Sequence, residues 1–336
     1  MSGRTSLDTE IQLIKRIQRL SSRFAPSPTR LFLSIGDDAA AFKTVSSFLT
    51  LVSTDALVEG VHFDLKYFTP EDIGWKALAV NLSDIAAMGG RPLYFTTSLA
   101  LPKDKNSRWT ERVYQGMLQL ARKVKVFLIG GDTCSSPGGI FLDLTIIGEV
   151  KPSEVLTRQG ARPGDALFVT GELGGAAIGL EVLRDHPKLT KRFRKEIRQH
   201  LRPEPRPDIG RFLASRQWVS AMIDISDGLS SDLHHLCEQS QVGAIIDASE
   251  IPLANVNQKT SSLLSKVLLD YALNGGEDYE LLFTVAPEMK AKIPKSIRGI
   301  RIREIGQITG EAGHCWINQQ EGRQTLLPAG FDHFAQ

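Results

Sequence analysis

Aspartates in this sequence fall where short apolar, strand-like runs stop. Asp37-Asp38 follows Leu31–Ile35 through Gly36, and Asp55 follows Phe48–Thr54, with Ser53 and Thr54 before it. Asp132 follows Val126–Ile129 through Gly130-Gly131, and Asp224 ends Ala221–Ile223 with Ser226 and Asp227 beyond. In open α/β sheets ligands bind at the carboxyl ends of strands, so the spacing predicts oxygen ligands delivered by separate strands to one edge. A single aspartate in such a place is ordinarily a turn residue or a helix cap. That explanation is strained when it must hold at four strands together. Crowding the acids is costly, because two unit charges about 4 Å apart repel by about 4 kcal/mol at an effective dielectric of about 20. Cations or shifted pKa values must relieve them. Hard divalent ions suit all-oxygen donors, and Mg²⁺ takes one or two carboxylates together with substrate phosphates. Zinc fits poorly, since no His or Cys cluster accompanies the acids.

Asp84 makes a separate argument. Trp75, Leu78, Ala79, Leu82, Ile85 and Ala86 form an apolar stripe of helical period, which predicts a helix over Pro70–Met88 stopped by Gly89-Gly90 and Pro92. Asp84 lies in its last turn on the Asn81 side. A carboxylate there is disfavoured by roughly 0.3–1 kcal/mol unless a cation reverses the sign. The glycine pairs Gly130-Gly131, Gly174-Gly175 and Gly275-Gly276 would let backbone approach a ligand closely, although such pairs are more often simple turns. No GxxxxGK[ST] phosphate loop and no protein-kinase signature set is present. Any nucleotide would need a different cradle.

The elements that must position these residues alternate between β-type runs and helical patterns, which predicts an α/β (α+β) fold. Further strands are expected at Tyr94–Ala100, Ile140–Val150, Ala166–Thr170, Ala244–Asp247 and Tyr279–Val285. The 336 residues suggest two domains. A polar stretch bearing Pro and Gly at 151–162 divides them into 1–150 and 151–336. Forty Lys+Arg against 38 Asp+Glu leave a net charge of +2, so no nucleic-acid partner is expected. The basic segment Lys188–Arg211 reads as a solvated helix and a proline-stiffened connection. The longest uncharged stretches, Thr44–Thr54 and Pro92–Pro102, are too short to span a bilayer, and the N-terminus does not read as a signal peptide. Cys134, Cys237 and Cys315 show no zinc spacing and no disulfide framework. A soluble, cytoplasmic protein with no membrane partner is expected.

Taken together, Ile35–Ala40, Ser53-Thr54-Asp55 through Glu59–Phe63, Lys76–Gly89, Ile129–Thr133, Leu156-Thr157-Arg158, His200–Pro203, Ile223–Leu229, Gly275–Leu281 and Gly330–Phe334 resemble the thiamine-monophosphate kinase family of the AIR-synthase-like superfamily. The resemblance runs in order from about residue 30 to the C-terminus. It implies an AIR-synthase-like two-domain fold, with an N-terminal domain that forms a dimer interface through its sheet and a C-terminal α/β domain. It implies ATP-dependent phosphorylation of thiamine monophosphate to thiamine diphosphate by a homodimer that uses several Mg²⁺ ions. Carried over by position, Asp38, Ser53, Thr54, Asp55, Asp84, Asp132, Asp224 and Asp227 match metal ligands. Gly131, Asp132, Arg158 and Ser226 match ATP contacts, and His62, Glu277 and Phe331 match substrate contacts. Cys134 stands where the family often has Thr or Ser. Phe331 replaces the commoner Trp or Tyr, keeping an aromatic face without the polar handle.

The chemistry agrees with the residues. A phosphate acceptor, whose second pKa is about 6, is a ready nucleophile and needs no general base. Charge neutralisation and in-line positioning carry such a transfer. The absence of an obvious His/Ser/Cys catalytic set is therefore expected. Among superfamily relatives, selenophosphate synthetase relies on a reactive Cys or selenocysteine near its N-terminus, whereas no cysteine here precedes Cys134.

Overall fold

The computed structural model describes residues 16–17, 19–23, 31–33, 41–42 and 47–331. It divides into two compact units. The first comprises residues up to Ile85 together with Arg91–Pro152, and the second Ala86–Gly90 with Ser153–Gln336.

In the first unit four strands, β3 (Leu49–Val58), β4 (Arg91–Leu101), β5 (Phe127–Ser135) and β6 (Phe141–Val150), form a sheet in the order β3-β6-β4-β5. A separate pair, β1 (Leu31–Leu33) and β2 (Ala41–Phe42), runs antiparallel. The β3–β6 and β6–β4 ladders are antiparallel, and only β4–β5 is parallel. Two 18-residue helices accompany the sheet, α1 (Pro70–Ala87) and α2 (Ser107–Val124). Asn106 caps α2 by accepting the Trp109 N–H, and Lys125 ends it in the left-handed region at φ 59°. The helices approach through reciprocal glycines. A Cβ on Gly74 would lie 1.8 Å from the Val113 carbonyl oxygen, and one on Gly116 would lie 1.9 Å from that of Glu71. Arg112 brackets this contact with two hydrogen bonds to Glu71, at 2.7 and 2.8 Å.

In the second unit an eight-stranded sheet takes the order β14-β13-β9-β12-β7-β10-β8, with β11 (Ser296–Ile297) paired to β12. Its strands are β7 (Ala166–Thr170), β8 (Val219–Ile225), β9 (Gly243–Asp247), β10 (Glu280–Val285), β12 (Ile300–Thr309), β13 (Cys315–Gln319) and β14 (Gly322–Thr325). Only the β13–β9 pair is parallel. Helices follow in chain order: α3 (Gly175–Asp185), α4 (Arg194–Leu201), α5 (Pro207–Arg216) and α6 (Leu229–Ser240), then the short α7 (Gln258–Ser261) and α8 (Leu268–Asn274). Leu167, Val169 and Ile223 bury against Leu229, Leu233 and Leu236 of α6, while Phe168, Met222 and Phe283 bury against Ile209 and Leu213 of α5. Cover on both faces explains why every residue of β7 and β10 is buried. Between them Glu280 accepts hydrogen bonds from Arg206 and Thr170, so the charge in the sheet is fully paired.

The mixed α/β class expected from the sequence is observed. Within the first unit β3, β4 and β5 all run the same way, since β3 and β4 are both antiparallel to β6 and β4 is parallel to β5. Asp55 and Asp132 therefore do come near one carboxyl edge. The expectation of a mostly parallel sheet is not met, because β6 runs against these three strands and β8 of the second unit is paired antiparallel to β10. Asp55 and Asp132 lie inside their strands, which continue to Val58 and Ser135. Asp is a poor strand former, which is why the sequence reading stops these strands too early.

Replacing Gly74 or Gly116 by Ala is expected to force the two helices apart and destabilise the first unit by about 1–3 kcal/mol, measured as a lowered urea midpoint.

Candidate functional site

Alternation along β3 sorts its polar residues between two faces. The Ser53 hydroxyl donates to Asp84 of α1 in a short contact, which places Ser53 and Asp55 on the helix-covered side with the buried Leu57. Asp84 thus gains a donor that offsets its unfavourable position near the helix end. Thr54 points the other way, donating to Asp143 Oδ1 at 3.0 Å and to the Leu144 carbonyl at 2.9 Å. Register then carries a polar row across that open face, from Ala56 to Asp143, Ser98 and Asp132. Thr133, on the other side of β5, meets the hydroxyl of Tyr114 on α2, a phenol that burial pushes up to about 12.

Asp55 and Asp132 therefore stand on the two outer strands, β3 and β5, and on opposite faces. The two strands run the same way with β6 and β4 between them, and both acids sit three residues before their strand's carboxyl end. Gly131 lies beside Asp132, and a Cβ there would come 2.2 Å from the Thr97 carbonyl oxygen, so only glycine allows this strand pairing. His62 follows β3 in a tight turn. Its Nδ1 accepts the Val58 N–H at 3.0 Å, and its carbonyl accepts from Lys76 Nζ at 2.9 Å. Lys76 is itself buried and sits 5.2 Å from the centroid of the Phe68 ring. Asp38 lies outside the described residues.

A second constellation occupies the second unit, at the end of β8. Asp232, in the first turn of α6, accepts the N–H groups of Asp227 and Gly228, each at 3.1 Å. Burial pushes its carboxyl up to about 8, and the charges of Asp224 and Asp227 add to the effect, against the two N–H bonds. Asp224, Asp227 and Asp232 are therefore crowded. Glu277 donates its N–H to the Ser226 carbonyl at 2.7 Å, and Phe331 donates its N–H to the Asp227 carbonyl at 3.0 Å. Phe331 itself is exposed. The structure thus brings Asp224, Ser226, Asp227, Glu277 and Phe331 to one loop cluster. Next to Glu277, Asp278 accepts the Gly174 N–H at 2.6 Å and the Ala176 N–H at 3.3 Å, capping α3. Loss of water pushes the Asp278 carboxyl up to about 7 despite these bonds, with Glu280 and Glu277 adding to the rise. Arg158 is exposed, and its carbonyl accepts the Ser240 hydroxyl at 2.8 Å.

The donors in both constellations are carboxylates and hydroxyls, the chemistry of a hard cation. Among the described residues no three acids, histidines or cysteines converge into a complete cage. An ion that draws part of its shell from bound phosphates needs no such cage.

Sequence profiles for AIR synthase related protein match in two parts, the N-terminal domain over residues 36–150 and the C-terminal domain over residues 162–315. The thiamine-monophosphate kinase of Buchnera aphidicola subsp. Schizaphis graminum is 39% identical over 304 residues, covering 89% of this chain and 92% of its own. This chain belongs to the thiamine-monophosphate kinase family. The crystal structure of the family member from Stenotrophomonas maltophilia K279a superposes with a TM-score of 0.80 at 35% identity, covering 91% of this chain and 95% of that one. A structure described as AaThiL complexed with AMPPCP and TMP gives 0.75 at 34% identity, covering 97% of both chains.

Several polar residues at these places were not singled out from the sequence. Asp143 sits on the polar side of the alternating run Phe141–Ile146, a signal that was available. Asp232 follows Gly228 at the spacing of a first-turn acid, which reads as an ordinary cap. Lys76 carries no signal on its own, since a lysine on a helix is ordinarily solvated.

Asp232→Ala would leave two backbone donors without their acceptor and is expected to cost about 1–3 kcal/mol. Asp232→Asn keeps a carbonyl oxygen and removes a disfavoured charge, so thermal unfolding should place it close to the parent.

Proposed function

We propose that this chain transfers the γ-phosphoryl group of ATP to the phosphate of thiamine monophosphate, giving thiamine diphosphate and ADP, the last step in making that cofactor. The observation that carries the reading is its likeness, over 97% of both chains, to AaThiL complexed with AMPPCP and TMP. AMPPCP stands in for ATP, its bridging carbon replacing the oxygen between the β- and γ-phosphorus atoms.

The residues suit that reaction without a general base. Asp38, Ser53, Thr54, Asp55, Asp84, Asp132, Asp224 and Asp227 are the residues that would hold Mg²⁺. The crowding of Asp224 and Asp227 around Asp232 supports this, since repelling acids favour a cation. Bound Mg²⁺ would supply charge neutralisation between donor and acceptor phosphates. Gly131 and Ser226 would meet the nucleotide through a close backbone and a hydroxyl, and Arg158 would clamp its phosphates. His62, Glu277 and Phe331 would receive thiamine monophosphate. With Nδ1 occupied by the Val58 N–H, a neutral His62 carries its proton on Nε2. Residues 1–150 would serve ATP, Mg²⁺ and dimerisation, with 151–336 completing the chain. The cytoplasm, where ATP serves biosynthesis, is the compartment the reading implies.

The deciding experiment incubates the protein with ATP, Mg²⁺ and thiamine monophosphate and separates the thiamine phosphates by chromatography. Stoichiometric thiamine diphosphate and ADP are expected, and chelation of the metal should abolish both. ATP binding with no product would overturn the substrate. Asp55→Asn and Asp132→Asn should keep the circular dichroism of the parent while turnover falls by about 100-fold or more. Wild-type turnover in either variant would remove that residue from the set.

Val52 and Phe141 share the open face of the first-unit sheet and are 64% and 42% exposed, which supports a homodimer formed through that sheet. Val52→Glu is expected to shift the protein from dimer to monomer in sedimentation, and an unchanged dimer would place the interface elsewhere.

A further inference from the structure

His200 lies in the last turn of α4 and is almost fully buried, at 3% exposure. A buried imidazole is expensive unless it meets a partner. Here Nδ1 comes 2.8 Å from Oε2 of Glu277, whose side chain remains 25% exposed. One end of this pair is therefore anchored in the packed interior and the other is open to a ligand.

The backbone of Glu277 is held by other means. It adopts φ 72°, and Tyr279 adopts φ 51°, both in the left-handed region that non-glycine residues rarely enter. Two N–H donations fix these residues, from Glu277 to the Ser226 carbonyl at 2.7 Å and from Tyr279 to the Ile225 carbonyl at 2.8 Å. Between them, Asp278 is tied to the start of α3. Main-chain contacts thus set where Glu277 stands but leave its side-chain torsions undetermined. Of the carboxylate's two oxygens, Oε2 is the one within ion-pair distance of His200 Nδ1.

We infer that His200 is a positioning residue for substrate recognition, its imidazole holding the Glu277 carboxylate in the rotamer that meets thiamine monophosphate. The inference rests on the reading of Glu277 as a substrate contact. His200 itself touches no substrate. Because α4 presents His200 from the interior, the rotamer is set before the ligand arrives, and no ordering is left to be done on binding.

Steady-state kinetics of His200→Ala, His200→Asn, Glu277→Gln and the double variant His200→Ala/Glu277→Gln test this. His200→Ala is expected to raise KM for thiamine monophosphate by about 10- to 100-fold, with KM for ATP within about 2-fold of the parent. His200→Asn, whose amide nitrogen can take the place of Nδ1, should recover most of the loss and guards against a variant that simply fails to fold. In the Glu277→Gln background, His200→Ala should change KM for thiamine monophosphate no further. Equal rises in both KM values, or an undiminished effect of His200→Ala in the Glu277→Gln background, would overturn the inference. An unchanged KM in Glu277→Gln alone would instead overturn the substrate reading of Glu277, so the two failures are told apart.

Discussion

The need to anchor carboxylates that would otherwise repel one another organises the polar parts of this protein. Asp84 takes the hydroxyl of Ser53, Asp143 that of Thr54, Asp232 the N–H groups of Asp227 and Gly228, and Asp278 those of Gly174 and Ala176. In three of these the donor comes from a different element than the acid, while Asp232 ties the turn and cap that precede α6 to that helix's own first turn. The acids therefore act as ties between elements as well as candidate ligands. A chain that needs a high density of oxygen ligands must solve this problem first, because an unanchored buried carboxylate would neutralise itself or melt its surroundings.

The two units solve it in different ways. In the first, hydroxyls and acids alternate along strands, and the antiparallel register of β3, β6 and β4 lines up Asp143 with Ser98 and, through the parallel β5, with Asp132. Side-chain hydroxyls are adaptable donors that can turn to another acceptor when a cation arrives. In the second unit the donors are mostly main-chain N–H groups at helix starts, which cannot turn away. The first arrangement suits a surface whose charge changes as ligands come and go. The second suits a fixed loop.

Much of this was legible in the sequence and some was not. The runs Ala166–Thr170 and Ile140–Val150, and the stripe from Trp75 to Ala86, are read correctly because burial on a sheet or one helix face imposes a period on apolar residues. Asp55 and Asp132 are found as polar residues near the ends of apolar runs, yet their strands continue past them, and strand direction leaves no local trace in the sequence. The carboxyl-edge argument nonetheless holds for β3 and β5, which run the same way, although the sheet that carries them is mixed rather than parallel. The motif resemblance does not depend on that point, since it compares order and spacing along the chain rather than strand direction. The burial of Lys76 and His200 leaves no trace in the sequence, even though both lie in stretches that carry the resemblance, because burial of a charged or polar side chain is decided by distant partners.

The strained stretch Glu277–Tyr279 shows how far the sheet reaches into the loop. Left-handed non-glycine residues cost of order 1–3 kcal/mol each, and such a cost persists only where the surroundings over-determine the backbone. Here the β8–β10 ladder continues beyond Glu280 into the Tyr279-to-Ile225 and Glu277-to-Ser226 hydrogen bonds. The loop is thus an irregular extension of a buried strand pair. The C-terminal segment docks on the same loop, with Gly330 so close that a Cβ would lie 2.2 Å from the Asp227 carbonyl oxygen. Positions around the loop are consequently set by main-chain contacts inherited from the core, and side chains such as His200 are left to decide only the final torsions. A loop built in this way can hold several acids and an aromatic ring in one place without relying on their own mutual attraction, which for like charges does not exist.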